Sequence, residues 1–584
     1  MFDEKRMMII IAAFIGLGAG LAHILFRSTK DFIHYFIFEQ AYGYLTAEGG
    51  FWLLCIPLIP ISGMLLLLPL SWRYPKDARG FGFTRFLHKV NLGGGRIRFR
   101  NIWLKTIASS LTIGTGGSAG VEGPIAQVGG AVGSQAGQFF RVSGDRMKVY
   151  IAAGCAGGIA SIFNAPIAGV FFAAEIVLLG TYEVSSFAVL VIASAIASVV
   201  TRAVYGESPT FLIPDYHVVN PFIEIPLYLV MGLLVGVVAV FYIKVFYWMR
   251  DKWSEMPLNV YIKPLLGALI VGTVGIALPQ VMGDGYGYIS DILHGEGVIW
   301  VMLILVFAKI LATSITLGSG GVGGVFAPSL FIGAAIGGAF GGTANLVLEG
   351  HIASGGTYAA VGIGGFLAAA THAPLTAIFL LFEMTGNYMI IIPIMLTSII
   401  GSMVASWLCP DSIDTMDFSR KGIDIHEGRE TAVLKSIKVG DVMTRDFGFI
   451  SEKANVNYLL EVFSKTQDRF YFPVLAESGK EAGQMIGIIS LQDVKAILHD
   501  EELRGSATVG NLCARNVIAL TPEDDLYEAM SLFMMKGIEE IPVVESMEEK
   551  WVVGILKRGD VITAYNREVL KKGISERTAS VRLK

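Results

Sequence analysis

The chain has 584 residues, is 53% hydrophobic and only 16% charged, and has a mean hydropathy of +0.60. Soluble proteins carry about 25% charged residues, so a wholly soluble fold is excluded and much of the chain must meet lipid. The net charge of −4 points to no particular partner, and nucleic acid is not expected.

Apolar segments fall near 8–26, 51–70, 103–114, 124–140, 148–162, 166–180, 185–204, 222–247, 262–282, 298–317, 328–348, 357–371, 374–386 and 389–408. The first is too long for a signal-peptide core and lacks a convincing cleavage site, so it reads as a retained helix. After the second comes a basic loop in which Arg73, Lys76, Arg79, Arg85, Lys89, Arg96, Arg98, Arg100 and Lys105 face one acid, Asp77. The positive-inside rule places that loop in the cytoplasm, and with two spans before it the N-terminus is expected there too. Several later segments are shorter than the roughly 20 residues that cross a bilayer. Broken helices persist at membrane depth only where their open ends face protein or a hydrated cavity, so a buried site is expected between them. The four cysteines form no metal or redox pattern, and packing is the role expected of each.

The short segments adjoin two copies of one pattern. Gly117-Ser118-Ala119-Gly120-Val121-Glu122-Gly123-Pro124 recurs as Gly321-Val322-Gly323-Gly324-Val325-Phe326-Ala327-Pro328. Asn164-Ala165-Pro166, with Glu175 nine residues after the proline, recurs as His372-Ala373-Pro374 with Glu383. Proline suits the first turn of a helix, and the glycines let several N–H groups converge. A helix N-terminus carries about half a positive charge and free donors. Two such ends, one from each repeat, would therefore hold an anion without any lysine or arginine. Glu122 lies in the first loop, where its carboxylate could occupy the same cradle and compete with the anion; protonation would remove that competition. An intramembrane acid is a functional candidate by default, and Phe326 in the second copy indicates that the motif can be built without one.

At these residues the chain resembles the CLC family of chloride channels and chloride/proton exchangers. Gly120-Val121-Glu122-Gly123-Pro124 is similar to that family's G-[K/R]-E-G-P segment, and Gly324-Val325-Phe326-Ala327-Pro328 to its G-x-F-x-P segment. The resemblance implies a helical polytopic membrane protein with inverted repeats and broken helices, assembled as a homodimer with one anion pathway per subunit. It makes Glu122 the gating glutamate and the amides of Val325 and Phe326 part of the anion site. Four positions depart from the pattern. Phe81, within Gly80-Phe81-Gly82, replaces the anion-contacting serine, and Val121 replaces a basic residue. Asp414 aligns with the tyrosine, unless it is an exposed helix-cap aspartate. Ile176, after Glu175, replaces the internal proton-accepting glutamate of exchangers. Losing both side-chain ligands implies weaker central binding, and an isoleucine at 176 favours passive conduction over exchange. The chloride site need not be selective for chloride alone.

From about Asp411 the composition is that of a soluble protein. Val439-Gly440-Asp441-Val442-Met443, a helix near 455–466, Phe472-Pro473-Val474 and Gly487-Ile488-Ile489-Ser490-Leu491-Gln492-Asp493 recur as Val509-Gly510-Asn511-Leu512, a helix near 525–536, Ile541-Pro542-Val543 and Gly554-Ile555-Leu556-Lys557-Arg558-Gly559-Asp560. This resembles a tandem CBS pair, an α/β module that often binds adenine nucleotides. By that resemblance Ser490, Asp493 and Asp560 would hold ribose, with a purely structural role as the alternative.

The expected organisation is a membrane domain over 1–420, with repeats at about 10–205 and 222–408. A linker (421–437), CBS motifs at 438–500 and 506–570, and a tail (571–584) follow. The reading is an inner-membrane, multi-pass chloride or small-anion transport protein with a cytoplasmic CBS pair, gated by Glu122, with chloride/proton antiport as the alternative. Adenine nucleotide is the one ligand considered beyond the anion and protons; no cofactor or metal is required. A remote enzyme reading rests on Gly116-Gly117-Ser118-Ala119-Gly120, which matches the G-x-S-x-G string of serine hydrolases, with His372 as base. That motif needs a strand-turn-helix setting, whereas this one lies between apolar helices.

Overall fold

The computed structural model describes residues 2–568 apart from 76, 143, 182–183, 208–218, 424, 426–427, 467–470, 480–481 and 496–505. The expected tail over 571–584 lies outside the described residues, as does the end of the first CBS motif. The chain separates into two compact units, Met1–His426 and Glu427–Lys584.

Among the described residues, the regular elements of the first unit are all helices. α1 (Phe2–Ile33) passes through a π turn, His34–Glu39, into α2 (Gln40–Glu48), and α3 (Leu58–Arg73) follows. The first span thus runs well past the expected residue 26. α4 (Phe83–Asn91) and α5 (Arg100–Gly114) lead to α6 (Glu122–Phe139), α7 (Gly144–Phe163), α8 (Pro166–Phe172) and α9 (Val184–Tyr205). The second half comprises α10 (Pro221–Glu255), α11 (Lys263–Ala277), α12 (Tyr286–Leu293), α13 (Ile299–Ser319), α14 (Phe326–Val347), α15 (Gly355–Thr371), α16 (Pro374–Thr385) and α17 (Ile391–Leu408). Seven described helices are long and apolar enough to cross a membrane. α5, α8 and α16 are not: at 1.5 Å per residue they reach about 22, 10 and 18 Å, short of the roughly 30 Å hydrocarbon layer.

Close backbone approach lets these short pieces pack. α6 lies against α7 with Gly129 and Gly154 facing, and a Cβ on either would strike the other's carbonyl. α14 lies against α15 in the same way through Gly333 and Gly362. Small residues at such crossings are what hold helices together where no hydrophobic driving force separates them from lipid. Asn164 and His372 take left-handed φ values of 56° and 55° and turn the chain into α8 and α16, each with proline at its first position.

The second unit contains two similar half-modules. β1 (Ile450–Ser451) pairs parallel with β2 (Tyr471–Leu475), which pairs antiparallel with β3 (Met485–Ser490). β4 (Glu540–Val544) and β5 (Val552–Lys557) are antiparallel, and Leu520 bridges parallel to Val543 where β1 would be repeated. Helices Val456–Lys465 and Leu526–Lys536 start at Asn455 and Asp525, whose side chains accept from the amides of Tyr458 and Glu528. Their apolar faces close separate cores, one around Leu459 and Phe472, the other around Phe533 and Ile541.

Candidate anion-binding site

The two repeat loops meet at Gly120 and Gly324. Each donates its N–H to the other's carbonyl, at 2.8 and 2.7 Å. The threonines one turn back exchange as well: Ser118 N–H donates to Thr316 Oγ1 at 3.2 Å and Val322 N–H to Thr112 Oγ1 at 3.0 Å. These pairs are related by one sequence offset, so the halves are mates about a pseudo-two-fold axis through the crossing. A Cβ on Gly324 would lie 2.9 Å from Gly123 N, and one on Gly120 would meet Ala327 N at 2.8 Å. Only glycine fits there.

From this crossing α6 and α14 start with their N-termini together. Glu122 opens α6 and is fully buried. Its Oε2 accepts from Ala327 N–H at 3.1 Å, and its Oε1 accepts from the Tyr286 hydroxyl. The carboxylate therefore sits at the first turn of the other repeat's helix, where free donors and the helix dipole favour negative charge. Val121, Val325 and Phe326 are buried beside it, and Pro124 and Pro328 lie in the first turns of α6 and α14. Gly120, Val121, Glu122, Gly123 and Pro124 are thus brought against Gly324, Val325, Phe326 and Ala327. Phe326 packs its ring 6.0 Å from Phe163 and 6.0 Å from Phe172.

The Gly80-Phe81-Gly82 loop precedes α4, tied to the second repeat by Gly80 N–H donating to Gly320 O at 3.0 Å. Phe81 is buried edge-on against Phe246, with 5.5 Å between ring centroids, and offers no hydrogen bond where a serine would. Lys105 departs from expectation. It belongs to the basic loop by sequence, yet the structure buries it on α5 with its Nζ 2.5 Å from where a Gly82 Cβ would stand. Asp77, the acid of that loop, pairs instead with Lys89 and Arg100 at 3.7 and 3.6 Å. The Gly80–Gly82 loop therefore has a buried lysine beside it, whereas the Gly120–Pro124 and Gly324–Pro328 loops contain none. The repeat mate of Lys105 is Lys309, which donates to Val281 O and Gly283 O, both at 3.0 Å, beside Gly285. The sequence signal was available: Lys105 and Lys309 stand apart by the same offset as Glu122 and Phe326.

Asp414 is buried, not an exposed helix cap. Ser412 shapes the turn ahead of the short helix Met416–Ser419, its Oγ accepting from Asp414 N–H at 3.3 Å and contacting Thr415 Oγ1 at 3.2 Å, while Thr415 is the N-cap residue and makes no side-chain capping bond. Asp414 acts electrostatically on the hydroxyls of Tyr242 and Tyr247. Tyr247 donates to Ile413 O at 2.9 Å, whereas the buried Tyr242 hydroxyl has no hydrogen-bond partner among the described residues. Tyr242 is linked through Phe246 to Phe81 by ring centroids 6.4 and 5.5 Å apart.

Glu175 is engaged in structure. It accepts from Leu375 N–H at 3.1 Å, Thr376 N–H at 2.7 Å and Thr376 Oγ1 at 2.6 Å. Ile176, next in the chain, is buried in the apolar core. Ser118 is fully buried with its Oγ 3.1 Å from Thr313 Oγ1, in a turn between helices. The strand-turn-helix setting of a hydrolase nucleophile is absent from this described segment, and the enzyme reading fails there. In the second unit Ser490 and Asp493 close a capping box: Asp493 Oδ2 accepts from Ser490 N–H and Oγ, both at 2.7 Å. Asp560 lies on the helical stretch after β5, and Lys557 pairs with Glu540 at 3.5 Å.

Two half-proteins of broken helices, mated about an axis and enclosing converging helix N-termini, form the architecture of a membrane transport protein for small anions. A family model described as "Voltage gated chloride channel" matches residues 63–406, and CBS domain models match 439–500 and 509–567. The chain is 32% identical over 411 residues to an "H(+)/Cl(-) exchange transporter ClcA" of Vibrio campbellii, covering 69% of this chain and 86% of the relative. It is 29% identical over 580 residues to "Chloride channel protein CLC-f" of Arabidopsis thaliana, covering 95% and 69%. Among solved structures, a slow cyanobacterial Cl−/H+ antiporter aligns with TM-score 0.65 at 26% identity, over 71% of this chain and 97% of that one. The chain belongs to the CLC family of voltage-gated chloride channels and exchangers, and it carries a C-terminal pair of CBS domains. It is a chloride-transport protein and not an enzyme.

Proposed function

We propose that the chain conducts chloride or another small anion through a pathway closed by Glu122, in the manner of a channel. One observation carries the reading: the Glu122 carboxylate occupies the helix-terminal cradle, on Ala327 N–H, that would otherwise hold the anion. Protonation neutralises the carboxylate and frees the cradle, so acid opens the pathway. Ile176 provides no proton acceptor, and Glu175 beside it is committed to the first turn of α16. Chloride/proton exchange is the second reading. It is supported by the exchange activity for which the Vibrio relative is named and by Asp414, a buried carboxyl that could take up protons in place of residue 176.

Reversal potentials in proteoliposomes under a chloride gradient, with and without a pH gradient, separate the two. A potential that follows chloride alone supports conduction; one that moves with pH overturns it in favour of exchange.

The protein is read as a homodimer in the cell membrane, with its N-terminus and the CBS pair in the cytoplasm. The basic loop over 73–105 supports that orientation. Adenine nucleotide is proposed as the CBS ligand, with the Ser490–Asp493 capping box in its ribose role. Binding of ATP or AMP to the full-length protein in detergent tests it. Loss of that binding in Asp493→Ala and Asp560→Ala supports the assignment; absence of binding leaves the pair as a structural module.

A further inference from the structure

The Glu122 carboxylate is held from two directions. Oε2 faces Ala327 N–H, inside the cradle, while Oε1 faces the hydroxyl of Tyr286, which belongs to neither repeat loop. Tyr286 is the first residue of α12, placed there by Gly285, whose φ of 86° turns the chain abruptly. Its own N–H donates to Asp284 Oδ1 at 3.3 Å, and Asp284 is paired with Lys30 at 3.6 Å. Tyr286, Asp284 and Lys30 line one cavity of about 460 Å³, together with His34 from the π turn and Asp291 from α12. Lys30 and His34 lie roughly 36 and 42 Å along the helix from Arg6, so the cavity belongs to the end of the membrane unit remote from the chain's start. The buried carboxyl is thus tied by one hydroxyl to an element that forms the wall of a vestibule.

The strength of that tie depends on the charge of Glu122. A hydrogen bond to an ionised acceptor is roughly twice as strong as one between neutral groups. Ionised, Glu122 accepts strongly from both Tyr286 and Ala327. Protonated, it keeps at most an ordinary bond to either. The charged and titratable groups around this point are Asp284, next to both Glu122 and Tyr286, the buried Lys309 from α13, whose Nζ holds Gly283 O beside Gly285, and Lys30, His34 and Asp291 in the vestibule. Tyr286 is the group in contact with the carboxyl.

We propose that Tyr286 is a latch for the gate: a positioning residue that holds ionised Glu122 in the cradle and releases it when acid in the vestibule protonates the carboxyl. The proposal rests on the reading of Glu122 as the gate. The hydroxyl acts through Glu122, so its removal should matter only while Glu122 is there to be held.

The experiment is anion flux from proteoliposomes as a function of pH, for the unaltered protein, Tyr286→Phe, Glu122→Ala and the double variant. Tyr286→Phe keeps the ring and removes the latch. The expected result is a rise in flux at neutral and alkaline pH on the order of tenfold, the scale of one lost hydrogen bond to a charged group, with acid flux unchanged. In the Glu122→Ala background the same substitution should change nothing, the coupling of the two sites being complete. An unaltered pH curve in Tyr286→Phe, alongside an altered one in Glu122→Ala, rejects the latch and leaves the gate standing. A Tyr286→Phe effect of equal size in both backgrounds also rejects it, since the tyrosine would then act on the pathway directly. No effect of Glu122→Ala removes the gate and the latch together. Should Tyr286→Phe fail to assemble, 3-fluorotyrosine at 286 keeps the size and gives a stronger donor. It should lower neutral-pH flux, and an unchanged curve rejects the proposal.

Discussion

Glu175 and Glu383 each hold the first turn of a helix that belongs to the other repeat. Glu383 accepts from Ile167 N–H at 3.0 Å and Ala168 N–H at 2.7 Å at the start of α8, while Glu175 does the same for Leu375 and Thr376 at the start of α16. A carboxylate at a helix N-terminus meets both free donors and a favourable dipole. The two acids therefore staple the halves together reciprocally.

This relationship assigns both residues to stability. Glu383→Ala strands two amides and should cost at least about 2 kcal/mol, given roughly 1.5–3 kcal/mol for a hydrogen bond to a charged group. Thermal unfolding in detergent checks it. The dependence of flux on pH should keep its shape in whatever protein survives, and Glu175→Ala should behave likewise.

Glu122→Gln should produce flux that no longer varies with pH, because the amide neither ionises nor competes with the anion. Stopped-flow or electrode-recorded efflux between pH 4.5 and 8 measures this. The unaltered protein is expected to conduct more at low pH, the direction in which the competing carboxylate is neutralised.

The two buried lysines are expected to part company. Lys105→Met should weaken anion binding by about tenfold, the order of one unit charge acting through a high effective dielectric, and leave the fold intact. Lys309→Met should leave Val281 O and Gly283 O without their donor and lower the unfolding temperature. Isothermal titration with chloride and thermal melts separate the effects.

On the proposed pathway, Phe81 and Asp414 offer a gain-of-binding test. Phe81→Ser combined with Asp414→Tyr puts two hydroxyl donors back where this chain has a phenyl ring and a carboxyl. Chloride affinity should rise by about 1–3 kcal/mol for two hydrogen bonds. Tyr242→Phe should leave stability nearly unchanged, because its hydroxyl has no hydrogen-bond partner among the described residues to lose.

Much of this was legible in the sequence because the repeat writes it down twice. The crossing loops, the proline-led short helices and the helices of the CBS pair lie where spacing and turn residues place them. What escaped were contacts made by side chains that the crossing brings together from far along the chain. Nothing local marks Tyr286 as a partner of Glu122, since 164 residues separate them. Lys105 was hidden among the basic residues of its loop, because composition does not tell a snorkelling lysine from one whose helix turns it inward. Asp414 escapes a local reading for a related reason: Asp-Ser-x-Asp has the pattern of an exposed cap, whereas the fold buries the carboxyl and leaves the N-cap position to Thr415.

The mutual exchange between Gly120 and Gly324 limits how this protein can move. Transporters built from paired halves commonly work by rocking one half against the other, which requires the seam between them to open. Here the seam is stitched backbone to backbone at its centre and carboxylate to amide on both flanks, and no atom beyond Cα fits at the crossing. The halves cannot part without breaking hydrogen bonds that lipid would leave unsatisfied. A seam held in this way disfavours rocking of one half against the other and favours smaller motions, such as the swing of the Glu122 side chain. The cycle should then be quick to traverse and insensitive to bilayer thickness, and cross-links between the repeats should leave it running.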